Sequence, residues 1–395
     1  MDLLIKNVKI VDYSGDFYGD VYIKDGKISE IGLDIEKSCD VIDGNGKTLM
    51  PAFVDLHCHF RDPGLTHKED IETGSRAAVK GGYTTVNLMG NTKPTASTMD
   101  VYNYVVNKGK EVGLCDLNQC ITVTENLDGK TLSHLDSIEP KVKFLTDDGR
   151  GVQNNKVMYE AMIKAKEIGV GIMSHAEDDE ILPISHTLAE NLMTIRDIEL
   201  AKYTGAHLHL CHVSTKEALD YIMNAKDEGY DNITCEVTPH HIALNDEIKY
   251  RVNPPLRSEE DRMMVIEAIK MGYIDGIGTD HAPHTAEDKA NGAPGISGIE
   301  VAFSMCYSAL VKAGHINLSE LSELMSKKPS ELMKINKGAI KPGFDGDVVL
   351  IDEDKEITID SSKFESKGKN TPLNGMKYFG EVLMTVKGGK IVYKK

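Results

Sequence analysis

Between residues 51 and 339 short apolar runs recur at regular intervals, separated by longer stretches in which apolar positions return every three or four residues. The runs 52–57, 84–88, 116–121, 142–145, 170–173, 208–211, 234–237 and 276–278 read as strands. A strand covered on both faces needs a near-continuous apolar sequence, and these have one. The stretches 71–80, 156–168, 193–203, 216–226 and 262–271 carry the helical period. Eight strands alternating with helices predict an α/β fold, a (β/α)8 barrel. A doubly wound open sheet would alternate in a similar way. The count of eight, and the polar residues that close the strands, favour the barrel.

The two ends of the chain have a different rhythm. Residues 3–8, 21–23 and 28–31, and again 348–351, 382–386 and 390–393, are short β patterns broken by turns such as Asp25-Gly26. Neither end holds enough strands for a stable sheet by itself. Residues 1–50 with 340–395 are therefore expected to form one composite β-sandwich, beside a barrel domain of 51–339.

Charge and cysteine content narrow the class of partner. A formal net charge of -17 leaves no basic surface to neutralise phosphates, which argues against nucleic acid. No apolar run approaches the ~18 residues of a membrane span. The run Met1-Asp2-Leu3-Leu4-Ile5-Lys6 lacks the pattern of a secretory leader, so a cytoplasmic protein with no membrane partner is expected. The seven cysteines are odd in number and form no CxxC pair, so they read as reduced packing residues.

The histidines carry the chemistry. His57 and His59 lie two apart, so on a strand both imidazoles face one side. Alone, such a pair reads more readily as two satisfied strand-end histidines. Read with His175 and His212 after strands five and six, and Asp148 and Asp280 after strands four and eight, it becomes a corner of a larger group. All six stand at strand C-termini, which in a barrel share one mouth. Four imidazoles and two carboxylates suit Zn2+ or a similar ion, or two ions sharing a bridging ligand. Such ions acidify water and polarise a carbonyl, the requirements for hydrolysing an unactivated amide.

The run Pro51-Ala52-Phe53-Val54-Asp55-Leu56-His57-Cys58-His59-Phe60-Arg61-Asp62-Pro63-Gly64 resembles the opening signature of the dihydroorotases of the amidohydrolase superfamily. So do Met89-Gly90-Asn91-Thr92, Thr146-Asp147-Asp148-Gly149, Ser174-His175-Ala176-Glu177-Asp178 and Cys211-His212-Val213-Ser214-Thr215. Thr238-Pro239-His240-His241, Asn253-Pro254-Pro255-Leu256-Arg257 and Gly278-Thr279-Asp280-His281-Ala282-Pro283-His284 complete an ordered set over nearly the whole chain. The set is most similar to the bacterial-type group with Asp-Asp-Gly after strand four.

The resemblance implies two Zn2+ ions, one held by His57, His59 and Asp280, the other by His175 and His212. Asp148 is the implied bridge, and a carboxylated Lys143, as related hydantoinases use, is the alternative. Asp147 then either supports the ligands from behind or caps a loop. Asp280 is also the implied acid and base, as a metal-activated hydroxide attacks the ring amide. Arg61, Asn91 and His284 would hold a substrate carboxylate, Asn253 the ring amide, and Gly295 would offer a backbone contact. Around Gly295 the chain reads Ala293-Pro294-Gly295-Ile296, without the Phe of the family's usual Pro-Phe-Gly. The polar segment 285–292 reads as a mobile lid, and the link from His175 to His212 as a trimmed loop.

The implied reaction is the reversible cyclisation of N-carbamoyl-L-aspartate to L-dihydroorotate in de novo pyrimidine (UMP) biosynthesis. A hydantoinase, dihydropyrimidinase or allantoinase shares the barrel and the HxH, but its substrate lacks the carboxylate that Arg61 would meet. A homodimer, and an association with aspartate carbamoyltransferase, are the expected assemblies. His207 and His209 read as packing or exposed residues; His240 and His241 read equally as supports of the site or as a strand-end polar pair.

Overall fold

Parallel strands form a closed ring in the computed structural model, which describes residues 2–395. Five strands precede the ring: β1 (Leu3–Asp12), β2 (Gly15–Lys24), β3 (Lys27–Gly32), β4 (Asp40–Asp43) and β5 (Thr48–Pro51). The ring itself is β6 (Phe53–Cys58), β7 (Tyr83–Leu88), β8 (Asp116–Gln119), β9 (Phe144–Leu145), β10 (Gly171–Ser174), β11 (Leu208–Leu210), β12 (Ile233–Val237) and β13 (Gly276–Ile277). Pairing runs β6-β7-β8 and β9-β10-β11-β12-β13, and parallel bridges Ile121–Leu145 and Cys58–His281 close the circle. Each strand falls within two residues of the bounds the apolar runs predict.

The ring is solid. Val54, Leu56, Met89, Cys120, Phe144, Met173, Cys211 and Met333 fill its interior as one cluster. Each large apolar side chain so buried contributes about 1.5–3 kcal/mol. A filled interior leaves the C-terminal mouth as the place for a site.

Helices α1 (Ile71–Lys80), α2 (Met99–Val112), α3 (Asn155–Ile168), α4 (His186–Thr204), α5 (Lys216–Asp227), α6 (Pro239–Ala243), α7 (Glu259–Lys270) and α8 (Ala286–Ala290) accompany the strands. In α3 the Asn154 side chain accepts from the amides of Lys156 and Val157, and Gly169, at φ 83°, ends the helix. Its buried residues Met158, Ala161, Met162 and Ala165 form one stripe. Helix α4 begins earlier than its apolar period suggested, because Ser185 caps it by accepting from the Leu188 amide. Segment 285–292, expected as a mobile lid, holds the short helix α8. Thr285 and Asp288 form a reciprocal capping box there, and Lys289 Nζ reaches the carbonyls of Arg251, Ala293 and Gly295.

The chain ends meet as the alternation suggested. β14 (Val348–Thr358), β15 (Lys377–Lys387) and β16 (Lys390–Lys394) join the first five strands in the order β16-β15-β14-β5-β1-β2-β3, with β4 beside β1. The path folds back on itself: the Ile28 amide donates to Phe344 O (2.9 Å) and the Gly346 amide to Gly26 O (2.7 Å). Ile5, Ile10, Val21 and Ile23 thereby share a core with Val348, Leu350 and Val386. Among the described residues no helix is long and apolar enough to cross a membrane.

Candidate metal centre and active site

The backbone at the ring's seam aims the site. The β6–β7 ladder slips between Asp55 and Cys58, the interval that holds His57, and the Leu56 carbonyl accepts from Asn87 Nδ2 at 2.9 Å. Across the seam the Asp55 carboxylate accepts from the Thr279 amide (2.8 Å) and hydroxyl (2.5 Å), and the Asp280 amide donates to His57 O (2.9 Å). Asp280 is thus fixed beside the HxH by the bonds that close the barrel. Arg61, His212 and Asp280 have φ of 57°, 36° and 45°. Residues with side chains adopt this left-handed region at a cost of order 1–3 kcal/mol, and such residues concentrate at functional sites.

The expected side chains converge. His59 Nε2 lies 3.1 Å and His57 Nε2 3.7 Å from Asp280 Oδ1. Asp148 stands between two groups: Oδ1 is 3.4 Å from His57 Nε2, 3.5 Å from His175 Nδ1 and 3.8 Å from His212 Nε2, while Oδ2 is 3.5 Å from His59 Nε2. His175 Nδ1 and His212 Nε2 are 2.9 Å apart, so the short link between them leaves both at the mouth. His57 Nε2 is buried without a hydrogen-bond partner among the described residues. A bare imidazole nitrogen among three more imidazoles and two carboxylates is a donor set that fits divalent ions. Lys143 is elsewhere. It precedes β9, at the opposite end of the barrel, and lines a separate cavity with Gly171 and His207.

Charge in the cluster is mutually arranged. Burial works against every ionised form, yet the imidazoles of His57, His175 and His212 hold the Asp148 carboxyl well below the usual range. His59 and His57 do the same for Asp280. Burial depresses His57, but the Asp148 and Glu236 carboxylates outweigh it and push the imidazole well up. Against burial, Asp148 and Glu177 raise His175 to about 10. His59 goes the other way, lowered by burial and by the Arg61 cation.

Beside this cluster is a cavity of about 200 Å³ whose lining includes Arg61, Asn91, Asn253, His284 and Gly295. Arg61 Nε donates to Pro283 O at 3.4 Å and its Nη2 lies 3.3 Å from His284 Nε2. Burial and the Arg61 cation lower His284 to about 3, so a neutral ring faces the guanidinium. Asn91 is spoken for at both ends: Oδ1 accepts from His59 Nδ1 (3.0 Å) and Nδ2 donates to Asp148 Oδ2 (3.1 Å). Asn253 Nδ2 lies 3.3 Å from both His175 Nε2 and Glu177 Oε1. Gly295 presents surface only, because its amide donates to Arg251 O and its carbonyl accepts from Asn370 and Lys289. A Cβ there, at φ 132°, would stand 2.8 Å from Ala282 Cβ.

Residues around the site brace it. Asp147 accepts from the Thr124 amide and hydroxyl, a loop cap, and burial lifts its carboxyl to about 6. His241 meets Thr238 Oγ1 (2.8 Å) and Pro254 O (3.2 Å), bracing the loop that carries Asn253. Glu236, which the sequence did not single out, places Oε1 2.7 Å from His57 Nδ1. Burial pushes its carboxyl up, but His57 and His209 hold it down at about 2. His209, expected in a packing or exposed role, is buried with its Nε2 3.4 Å from Glu236 Oε2. The available signal was a charged residue inside a buried strand, Cys235-Glu236-Val237.

A filled (β/α)8 barrel with imidazoles and carboxylates gathered at its C-terminal mouth defines a metal-dependent hydrolase. The amidohydrolase family model matches residues 48–392. Over the full length of both chains the sequence is 57% identical to a dihydroorotase of Clostridium botulinum, and 39% identical to one of Brevibacillus brevis. The L-hydantoinase (dihydropyrimidinase) from Arthrobacter aurescens superposes with a TM-score of 0.91 at 27% identity, covering 100% of this chain and 96% of that one. The chain belongs to the amidohydrolase family and, within it, to the dihydroorotases.

Proposed function

We propose that this enzyme interconverts N-carbamoyl-L-aspartate and L-dihydroorotate in de novo pyrimidine synthesis. The observation that carries the reading is Arg61. Its guanidinium borders the cavity beside the metal-ligand cluster, with Nη1 unused and a neutral His284 behind it. Dihydroorotate has a carboxylate for that fork; hydantoin, dihydrouracil and allantoin have none.

His57, His59 and Asp280 would hold one Zn2+ and His175 and His212 a second, with Asp148 shared between them. Asp148 Oδ1 lies 3.4 Å from His57 of the first set and 3.5 and 3.8 Å from His175 and His212 of the second, which supports that sharing. Ions held there acidify water and polarise the amide carbonyl. The protein's own groups do the rest. Arg61 anchors the carboxylate, and Asn253 meets the ring amide. Asn91 keeps His59 turned, with its Nδ1 bonded and its Nε2 toward Asp280. Asp280, ionised by its histidine neighbours, takes the proton of the attacking water and returns it to the departing ring nitrogen. In the cyclising direction the same carboxylate takes the ureido proton.

The same reading includes a homodimer, supported by the exposed apolar residues Ile184, Leu188, Leu192 and Ile195 at and along α4. It includes a cytoplasmic setting, which seven unpaired cysteines suit. Aspartate carbamoyltransferase, the source of N-carbamoyl-L-aspartate, is the proposed partner enzyme. Superposition on a hydantoinase favours a second reading, hydrolysis of an uncharged cyclic amide. Assays on dihydroorotate, hydantoin and allantoin, with metal content measured on the same sample, separate the two. Turnover confined to dihydroorotate is expected; preference for hydantoin or allantoin would overturn the proposal.

A further inference from the structure

We infer that Glu236 is a positioning residue for the metal centre: its carboxylate locks the His57 ring so that Nε2, and not Nδ1, is presented to the ion. The inference rests on the reading of His57 as a metal ligand. Glu236 comes from the middle of the barrel, on β12, and touches neither the substrate cavity nor the other proposed ligands.

Three observations converge on it. Glu236 Oε1 and His57 Nδ1 are 2.7 Å apart, and both residues are 0% exposed. At that separation Nδ1 donates its proton to the carboxylate, so Nε2 is the nitrogen turned toward Asp148 and Asp280 and the one left for an ion. Second, among the described residues Glu236 forms no ion pair with Lys or Arg; its other oxygen faces His209 Nε2 at 3.4 Å. His209 is in turn held by a 2.9 Å contact between its Nδ1 and Thr234 Oγ1. The carboxylate is therefore clamped between two imidazoles, one of which belongs to the site. Third, the next strand makes room for it. A Cβ at Gly278 would lie 2.5 Å from Glu236 Oε2, so a glycine two residues before Asp280 permits the contact.

His57, Cys211 and Glu236 also cluster closely enough to suggest a metal site of their own. The 2.7 Å contact argues against it, because a shared proton already occupies the line between the two groups. An ion bound there would take Nδ1 and turn the protonated nitrogen toward Asp148 and Asp280.

Carboxylates that support a ligating histidine typically change metal affinity by about 10–100-fold. The test uses full-length protein stripped of metal and titrated with Zn2+ against a competing chelator. Glu236→Gln keeps an acceptor and should weaken Zn2+ binding about tenfold; Glu236→Ala should weaken it toward a hundredfold. Excess Zn2+ should restore kcat, with KM unchanged, since Glu236 does not touch substrate. Circular dichroism and melting of the metal-free variants identify a loss that is merely structural. A folded Glu236→Gln and Glu236→Ala pair with wild-type Zn2+ affinity overturns the inference. So does a kcat deficit that saturating Zn2+ leaves in place. His57→Ala is the control. If it binds both ions as wild type does, the ligand reading itself fails. If it loses affinity while both Glu236 variants keep theirs, only the positioning role fails.

Discussion

Replacing Arg61 by Met removes the fork while keeping most of the side-chain volume. A guanidinium has five N–H donors. One on Nε is given to Pro283 O and one on Nη2 to His284, which leaves Nη1 and the second Nη2 proton for a ligand. Two charge-assisted hydrogen bonds at ~1.5–3 kcal/mol each would total about 3–6 kcal/mol. The side chain is partly open to solvent, so the lower half of that range applies, about 3–4 kcal/mol. That is a loss of about a hundred- to a thousandfold in kcat/KM for dihydroorotate. Orotate and uracil differ by the carboxylate alone, so their inhibition constants isolate the effect. Arg61→Met should erase the preference for orotate and leave uracil nearly untouched. Arg61→Lys, which keeps charge without the planar fork, should fall in between. Equal weakening of both inhibitors would refute the reasoning and make Arg61 a structural residue.

Asp148→Ala should remove most bound metal, whereas Lys143→Ala, at the far end of the barrel, should leave metal content and turnover unchanged; elemental analysis of the two proteins decides between the two bridges. Metal should protect the fold increasingly as pH rises from 6.5 toward 10. His175 titrates near 10 in the metal-free cluster against an ordinary 6.5, so its protonated form stabilises that state fully below 6.5 and is lost through 10. Metal must displace such protons, at about 1.4 kcal/mol per pH unit for each. The gap in Tm between Zn2+-loaded and chelated protein should therefore widen with pH, and a gap that is flat or shrinks would count against it. Gly295→Ala should raise KM for dihydroorotate with metal content unchanged, since its Cβ would crowd Ala282 and the His284 ring.

The barrel was legible because buried parallel strands write their own signature, and a strand's end locates its polar residue. Thus His57, His175, His212, Asp148 and Asp280 could be placed from their positions alone. Lys143 and Asp148 show the limit of nearness in sequence. Five residues of near-extended chain span about 16 Å, enough to put one at the base of the barrel and the other at its mouth. Glu236 escapes a sequence reading because alternation marks an isolated polar residue in a strand as outward-facing, while this one points inward, where His57 and His209 meet it. The motif around Asn91 implies a substrate contact; that His59 and Asp148 also use its amide depends on distances no motif states. The segment 285–292 looked like a loop because its apolar content is low, yet the Thr285–Asp288 box suffices to start a helix.

The small sheet has a consequence for how the molecule is made. β5 (Thr48–Pro51) pairs on one side with β1 and on the other with β14 (Val348–Thr358), so roughly three hundred residues separate partners in a single ladder. On a ribosome the first five strands emerge early, and β14 to β16 appear only after the whole barrel has been synthesised. Until then β5 presents a bare edge, open to pairing with a neighbouring nascent chain. The contacts that complete this sheet are the slowest kind to form, and they form last. Loss of β14 to β16 should therefore leave a chain whose barrel is complete in sequence but which aggregates through its first strands.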